Sequence, residues 1–226
     1  MQRSLSLRDT LFAMLSYYVI IPVISALLCI ASGIFSWHHL PVSLRLLILE
    51  AFISMTADAV NPYLTGLGYP IHYPFLLIDF LLIIYASYSL LQTKIRRYIY
   101  ATLPAAFVFI WLITGYHFGL KELNSYVLTG FSLLITINYL VVLYSSEVGR
   151  GSNKLSVRLL CFSFIVYHCG TFPLFTLIKL LINSRINITI IDINTALDTT
   201  KYLLIAISLL LLKGNNSSVS LTPEYE

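Results

Sequence analysis

Residues 193–213 read INTALDTTKYLLIAISLLLLK, an apolar run interrupted by Asp198 and Lys201. About 20 mostly apolar residues cross a hydrocarbon core as a helix, so this segment is long enough to span one. An ionisable side chain at that depth costs about 2.5–3.5 kcal/mol on insertion scales and faces the interior of a bundle rather than lipid. The rest of the chain has the same character. Of 226 residues 58% are hydrophobic and 11% charged, against about 25% charged in a soluble domain. So few polar residues would not cover a water-facing surface. The expected class is all-α, a polytopic membrane bundle with the lipid bilayer as its surroundings. A net charge of +4, scattered along the chain, gives no footprint for nucleic acid.

Seven stretches meet the length requirement, at about 11–34, 42–62, 73–92, 98–116, 126–146, 159–182 and 189–212. The first exceeds the h-region of a signal peptide, about 7–15 residues, and is expected to remain as a membrane helix. Short connectors such as SWHHLP and QTKIRR force neighbours to run antiparallel and leave no room for a soluble domain. Residues 1–213 therefore form one seven-helix transmembrane domain, followed by a polar tail, 214–226, expected to be disordered. No internal repeat is evident. Arg45, Lys94, Arg96, Arg97, Arg150, Lys154, Arg158 and Lys213 fall on one side, against Arg3, Arg8, Lys121, Lys179 and Arg185 on the other. The larger basic set marks the cytoplasmic side, which puts the N-terminus outside and the C-terminus inside a multi-pass cell-membrane protein.

Six ionisable groups are candidates for a ligand or ion site: Glu50, Asp58, Asp79, His168, Asp198 and Lys201. At about 100° per residue, Glu50, Ser54, Asp58 and Asn61 share a wedge of roughly 80° on the second helix. Asn194, Thr195, Asp198, Lys201 and Tyr202 share roughly 120° on the seventh. Counting rise along each helix puts Glu50, His168, Asp198 and Lys201 near mid-membrane, with Asp58, Asp79 and Asp192 in the outer half. The expectation is a polar funnel opening outward, provided that helices 2, 3, 6 and 7 are neighbours. The competing explanation is structural: Asp198 and Lys201, three apart, neutralise each other within one helix. His168 taken alone is a satisfied core histidine.

No His-Glu-x-x-His pair, paired aspartates beside glycines, or serine nucleophile beside a base is present, so an enzyme is not expected. Cys29, Cys161 and Cys169 lie in apolar runs without CxxC or Cys/His spacing, which argues for packing residues and against a metal site. A sensor or small-ligand receptor with an outward-opening pocket fits these features first. A proton- or ion-coupled small transporter and a structural or assembly subunit are the alternatives. The basic loops 94–97 and 150–158 are candidate docking points for a cytoplasmic protein partner.

Two resemblances extend these expectations. LRLLILEAFISMTADAV, followed by YPFLLIDFLLIIYASYSLL, resembles a group of uncharacterised seven-helix bacterial inner-membrane proteins. Members carry an acid early in helix 2 and an acid–aromatic pair in helix 3, here Glu50 and Asp79–Phe80; the group brings no activity with it. Seven helices, a lysine midway along the last and an acid on helix 3 also resemble the microbial rhodopsins. That likeness implies retinal as a Schiff base on Lys201, with Asp198 and Asp79 as counterions; otherwise no cofactor is expected. The chain departs from that family in its Asp198-x-x-Lys201 spacing, where the family has Asp-x-x-x-Lys. It also lacks an Arg-x-x-Asp arrangement before Asp79 and has only two tryptophans, Trp37 and Trp111.

Overall fold

A computed structural model describes residues 7–66, 72–91, 93–119, 125–145, 153–181 and 187–214. Side chains are described within 20–57, 74–91, 95–119, 126–145, 154–174 and 192–213, Phe118 excepted. Among these residues the protein is all-helical: α1 (Leu7–Ser36), α2 (Val42–Gly66), α3 (His72–Ala86), α4 (Thr93–Phe118), α5 (Ser125–Ser145), α6 (Asn153–Leu181) and α7 (Asn187–Gly214). Backbone amides inside hydrocarbon have no water to bond, so a helix, which bonds its own, is the state these apolar runs adopt. Five segments are long and apolar enough to cross a membrane: Ile20–His39, Ile95–His117, Tyr126–Ser145, Lys154–Leu174 and Asp192–Lys213. They make this a multi-pass membrane protein.

Each helix packs on its neighbours in sequence, and α1 packs on α7, which closes a ring; α3 also reaches across to α5. The pattern of a water-facing surface, with polar side chains outward, is inverted here. Ile20, Ile24, Leu27, Leu28 and Phe35 on α1, and Leu203, Ile207 and Leu210 on α7, point outward, where lipid would meet them. The interior is closed by large side chains. Phe80, Phe107 and Phe131 stack at centroid distances of 4.1 to 5.9 Å across α3, α4 and α5, and Tyr139 donates to the Ile83 carbonyl at 3.2 Å. Polar ties sit between the apolar layers. Asn138 of α5 donates to Ser87 Oγ at 3.0 Å, and Ser208 of α7 donates to the Ser156 carbonyl of α6 at 2.7 Å.

These ties fix which ends lie together. Lys213 covers the Phe35 ring, so α1 and α7 end on the same side. Ser156, near the start of α6, meets Ser208, near the end of α7. The turns after α1 and after α3 are also joined, Ser43 donating to Ser89 at 2.7 Å. The end carrying these turns is called the basic end below.

The observed helices differ from the expected ones at this end. α4 starts at Thr93 and α6 at Asn153, so Arg96, Arg97, Lys154 and Arg158 stand within the first two turns of helices rather than in loops. Helices extend into the headgroup zone because their backbone bonds stay closed there, while long cationic side chains reach outward to water. α3 is shorter than expected, ending at Ala86 before a 3₁₀ turn over Tyr88–Leu90. Arg150 and, beyond Gly214, the tail lie outside the described residues, as does the side chain of Lys94.

Helix approach is closest where side chains are absent. Any Cβ on Gly33 of α1 would overlap Ile48 of α2, and any on Gly170 of α6 would overlap Leu197 of α7; small residues let membrane helices draw together in this way. Gly33→Leu is therefore expected to destabilise the protein by about 1–3 kcal/mol, the usual cost of overpacking. Combining it with Ile48→Ala should recover part of that loss. Thermal unfolding in detergent of the two single variants and the double variant checks this, and a strictly additive loss would contradict the contact.

Candidate functional site

The second helix brings Glu50 to the interior because Leu44, Leu47, Ile48 and Ala51 around it are buried against α1 and α3. On α7 the same role falls to Lys201, flanked by buried Tyr202 and Ile205. The two charged side chains meet. Lys201 Nζ lies 3.4 Å from Glu50 Oε1 and 3.5 Å from Asp198 Oδ1, and the residues are 4% and 1% exposed for Lys201 and Glu50. Above the carboxylates, the ammonium faces two aromatic rings, Tyr202 at 4.1 Å and Tyr167 at 4.6 Å. Lys201 thus sits in a box of two acids and two π-faces, each favouring its charged form by attraction.

A third acid completes the group. Asp79 of α3 lies beside the Glu50 carboxyl. Glu50 Oε2 is buried with no hydrogen-bond partner among the described residues. Asp79, partly exposed as a residue, is thereby the member of α3 that neighbours the α2–α7 pair. Cys29 of α1 lies beside Glu50 and Lys201, buried and without metal partners. Among the described residues no group of three His, Cys, Asp or Glu side chains is placed to hold a metal ion.

His168 stands apart from this cluster. Its Nδ1 is 3.5 Å from Ser132 Oγ, and its ring lies among Phe131, Phe164 and Tyr167. Nε2 is buried with no hydrogen-bond partner, so the histidine is only half satisfied. Tyr167 is the shared wall, its ring 4.9 Å from that of His168 and facing Lys201 on the other side. The side chain of Asp58 lies outside the described residues. Asp192 is exposed toward the far end of α7, and Asp198 is only partly covered.

Tyr167 and the nearness of Asp79 to Glu50 were not foreseeable from spacing. Tyr202 was visible as a member of the α7 polar face, but Tyr167 sits in an apolar run where an aromatic is ordinary packing.

Removing one partner of a buried ion pair typically costs about 3–5 kcal/mol. Lys201→Met is expected to lose that much at neutral pH, because it leaves Glu50 and Asp198 facing each other. The loss should shrink as pH falls and the carboxyls take up protons. Pairing Lys201→Met with Glu50→Gln should restore stability in part, and the further Asp198→Asn change should restore more. Melting curves from pH 4.5 to 8 for these variants test the assignment. A penalty for Lys201→Met that is independent of pH would reject it.

Comparison of the chain with protein-family models, with curated proteins and with solved structures finds no match.

Proposed function

We propose that the protein is a membrane sensor or small-ligand receptor that takes a cation, a proton or a small organic amine, at the cluster of Glu50, Asp79, Asp198 and Lys201. One observation carries this. Two carboxyls, Glu50 and Asp198, flank one ammonium, and a third, Asp79, lies beside Glu50, so full ionisation would leave two uncompensated negative charges. Interiors do not hold such charge; it is met by a bound proton or cation. The partly open Asp198 and the exposed Asp192 supply the approach from the end opposite the basic one. In this proposal all seven helices cross the membrane, with the basic end cytoplasmic by the charge asymmetry, and the cluster opens outward.

The nearness of Asp79 to Glu50 favours a second reading, proton-coupled transport, since neighbouring carboxyls can hold one proton between them and release it. Retinal on Lys201 asks for the amine to be free to condense with an aldehyde; here it is held by two carboxylates.

A ligand that binds the folded state stabilises it by RT ln(1 + [L]/Kd), about 2.7 kcal/mol at a hundredfold excess over Kd. Ethanolamine, choline, putrescine and spermidine are the probes. At least one is expected to raise the melting temperature of wild type and to lose that effect in Asp198→Asn and Glu50→Gln. If none does, and the pH dependence of stability is the same in wild type and Glu50→Gln, the site binds neither amine nor proton and the proposal fails. Acid-driven uptake into liposomes, abolished by Glu50→Gln, would select the transporter.

Reporter fusions or single-cysteine labelling read the orientation. A cysteine at Ser89 is expected to be protected from impermeant reagent in intact cells and one at Asp192 to be labelled. The reverse pattern would invert the topology.

A further inference from the structure

The turns that join α1 to α2 and α3 to α4 are built alike, although no repeat is apparent from hydropathy. Each begins with a buried serine, Ser36 or Ser87, followed by an aromatic, Trp37 or Tyr88, and a 3₁₀ turn. Three residues after the aromatic comes a leucine in extended conformation, Leu40 (φ −90°, ψ 134°) or Leu91 (φ −99°, ψ 145°). Five residues further on comes an arginine, the fourth residue of the next helix in both cases. Arg45 Nε donates to the Leu40 carbonyl at 3.2 Å, and Arg96 donates to the Leu91 carbonyl through Nε at 3.2 Å and Nη2 at 2.8 Å. Each guanidinium also lies over its own aromatic ring, 4.9 Å from Trp37 for Arg45 and 4.4 Å from Tyr88 for Arg96.

The arginines are thus fixed twice, by a carbonyl and by a ring, and the Ser43–Ser89 hydrogen bond holds the two turns side by side. Both stand in the first turn of a helix that has no acid there. A cation at that end opposes the helix dipole, which favours negative charge. Neither has an acid to answer it, since the ion pairs found among the described residues are those of Lys201. Marking topology needs a positive charge but no such fixation. Two preset guanidiniums beside two helix N-termini make a place for anionic oxygen, with unused Nη protons to supply the bonds. The surroundings say where that oxygen comes from. Ile34, Phe35 and Val42, next to the first turn, are 62%, 66% and 74% exposed apolar side chains, and Tyr85 and Tyr98 flank the second.

We propose that these two turns form a paired site for the phosphates of anionic lipid headgroups, with the acyl chains lying on the adjoining apolar surface. Arg97, Lys154 and Arg158, exposed at the same end, add attraction without fixing a position.

The full chain in nanodiscs of phosphatidylglycerol or of phosphatidylcholine tests this, with lipid retention after detergent extraction read by native mass spectrometry. Wild type is expected to melt higher in phosphatidylglycerol and to retain it. Arg45→Gln with Arg96→Gln should lose that preference, retention falling about tenfold per arginine, as removal of a charge-assisted contact implies. Arg97→Gln with Arg158→Gln, an equal loss of charge, should keep it. If the glutamine pair does not fold, Arg45→Lys with Arg96→Lys keeps the charge but not the two-sided hold, and the same loss is expected. Equal behaviour of wild type in the two lipids would overturn the proposal. So would loss of the preference in the Arg97/Arg158 control, or an equal stabilisation by inorganic phosphate, which would make the site one for free anions.

Discussion

A lysine ammonium inside an apolar bundle is tolerated only with its countercharges beside it, and the bundle is arranged around meeting that demand for Lys201. Asp198 answers it from one turn away on the same helix, and Glu50 answers it from α2. The second contact matters more for the fold. Hydrophobic contact gives little specificity between helices in lipid, because the tails are as apolar as the side chains. A directed polar contact between α2 and α7 supplies what greasy surfaces do not, a fixed rotation and depth for each helix.

Around that tie the interior divides by chemistry. Next to Lys201 lie carboxyls and tyrosine rings. Beyond Tyr167 comes a neutral niche in which His168 leans on Ser132 among phenyl rings. Toward the basic end, Ser87, Tyr100 and Asn138 form a hydroxyl–amide knot in which Ser87 Oγ also donates to the Ile84 carbonyl. Neutral knots of this kind are closed on themselves. The acid cluster is not, since its charge does not balance without an added proton or cation. Lys201 against Glu50 and Asp198 already sums to one negative charge when all three are ionised, and Asp79 beside Glu50 would add a second.

How far the sequence carried can be judged from particular residues. The helices at 42–66, 125–145 and 187–214 were legible to within a few residues, and so was the polar face of α7 through Asn194, Asp198 and Lys201. Pairing of Asp198 with Lys201 followed from their separation of three. The nearness of Asp79 to Glu50 was not legible, because it depends on the offset of α3 along α2, which no count within either helix supplies. The likeness of the two turns was missed for a related reason. It resides in one aromatic, one leucine and one arginine at fixed offsets, with different residues between them, and only the shared hydrogen bond to a leucine carbonyl makes the offsets meaningful.

By itself the sequence determined that the chain is helical and belongs in a membrane, since length and apolarity are sums over neighbouring residues and a backbone in hydrocarbon must bond to itself. It also determined which residues share a face, because the helical period is fixed. Only the tertiary structure decided that Glu50 of α2 joins Asp198 at Lys201, that Asp79 lies beside Glu50, and that His168 stands apart. Those outcomes depend on the rotation and vertical offset of one helix against another. Such offsets are set by close contacts such as Gly33 on Ile48 and Gly170 on Leu197, which join residues far apart in the chain and leave no periodic trace in it.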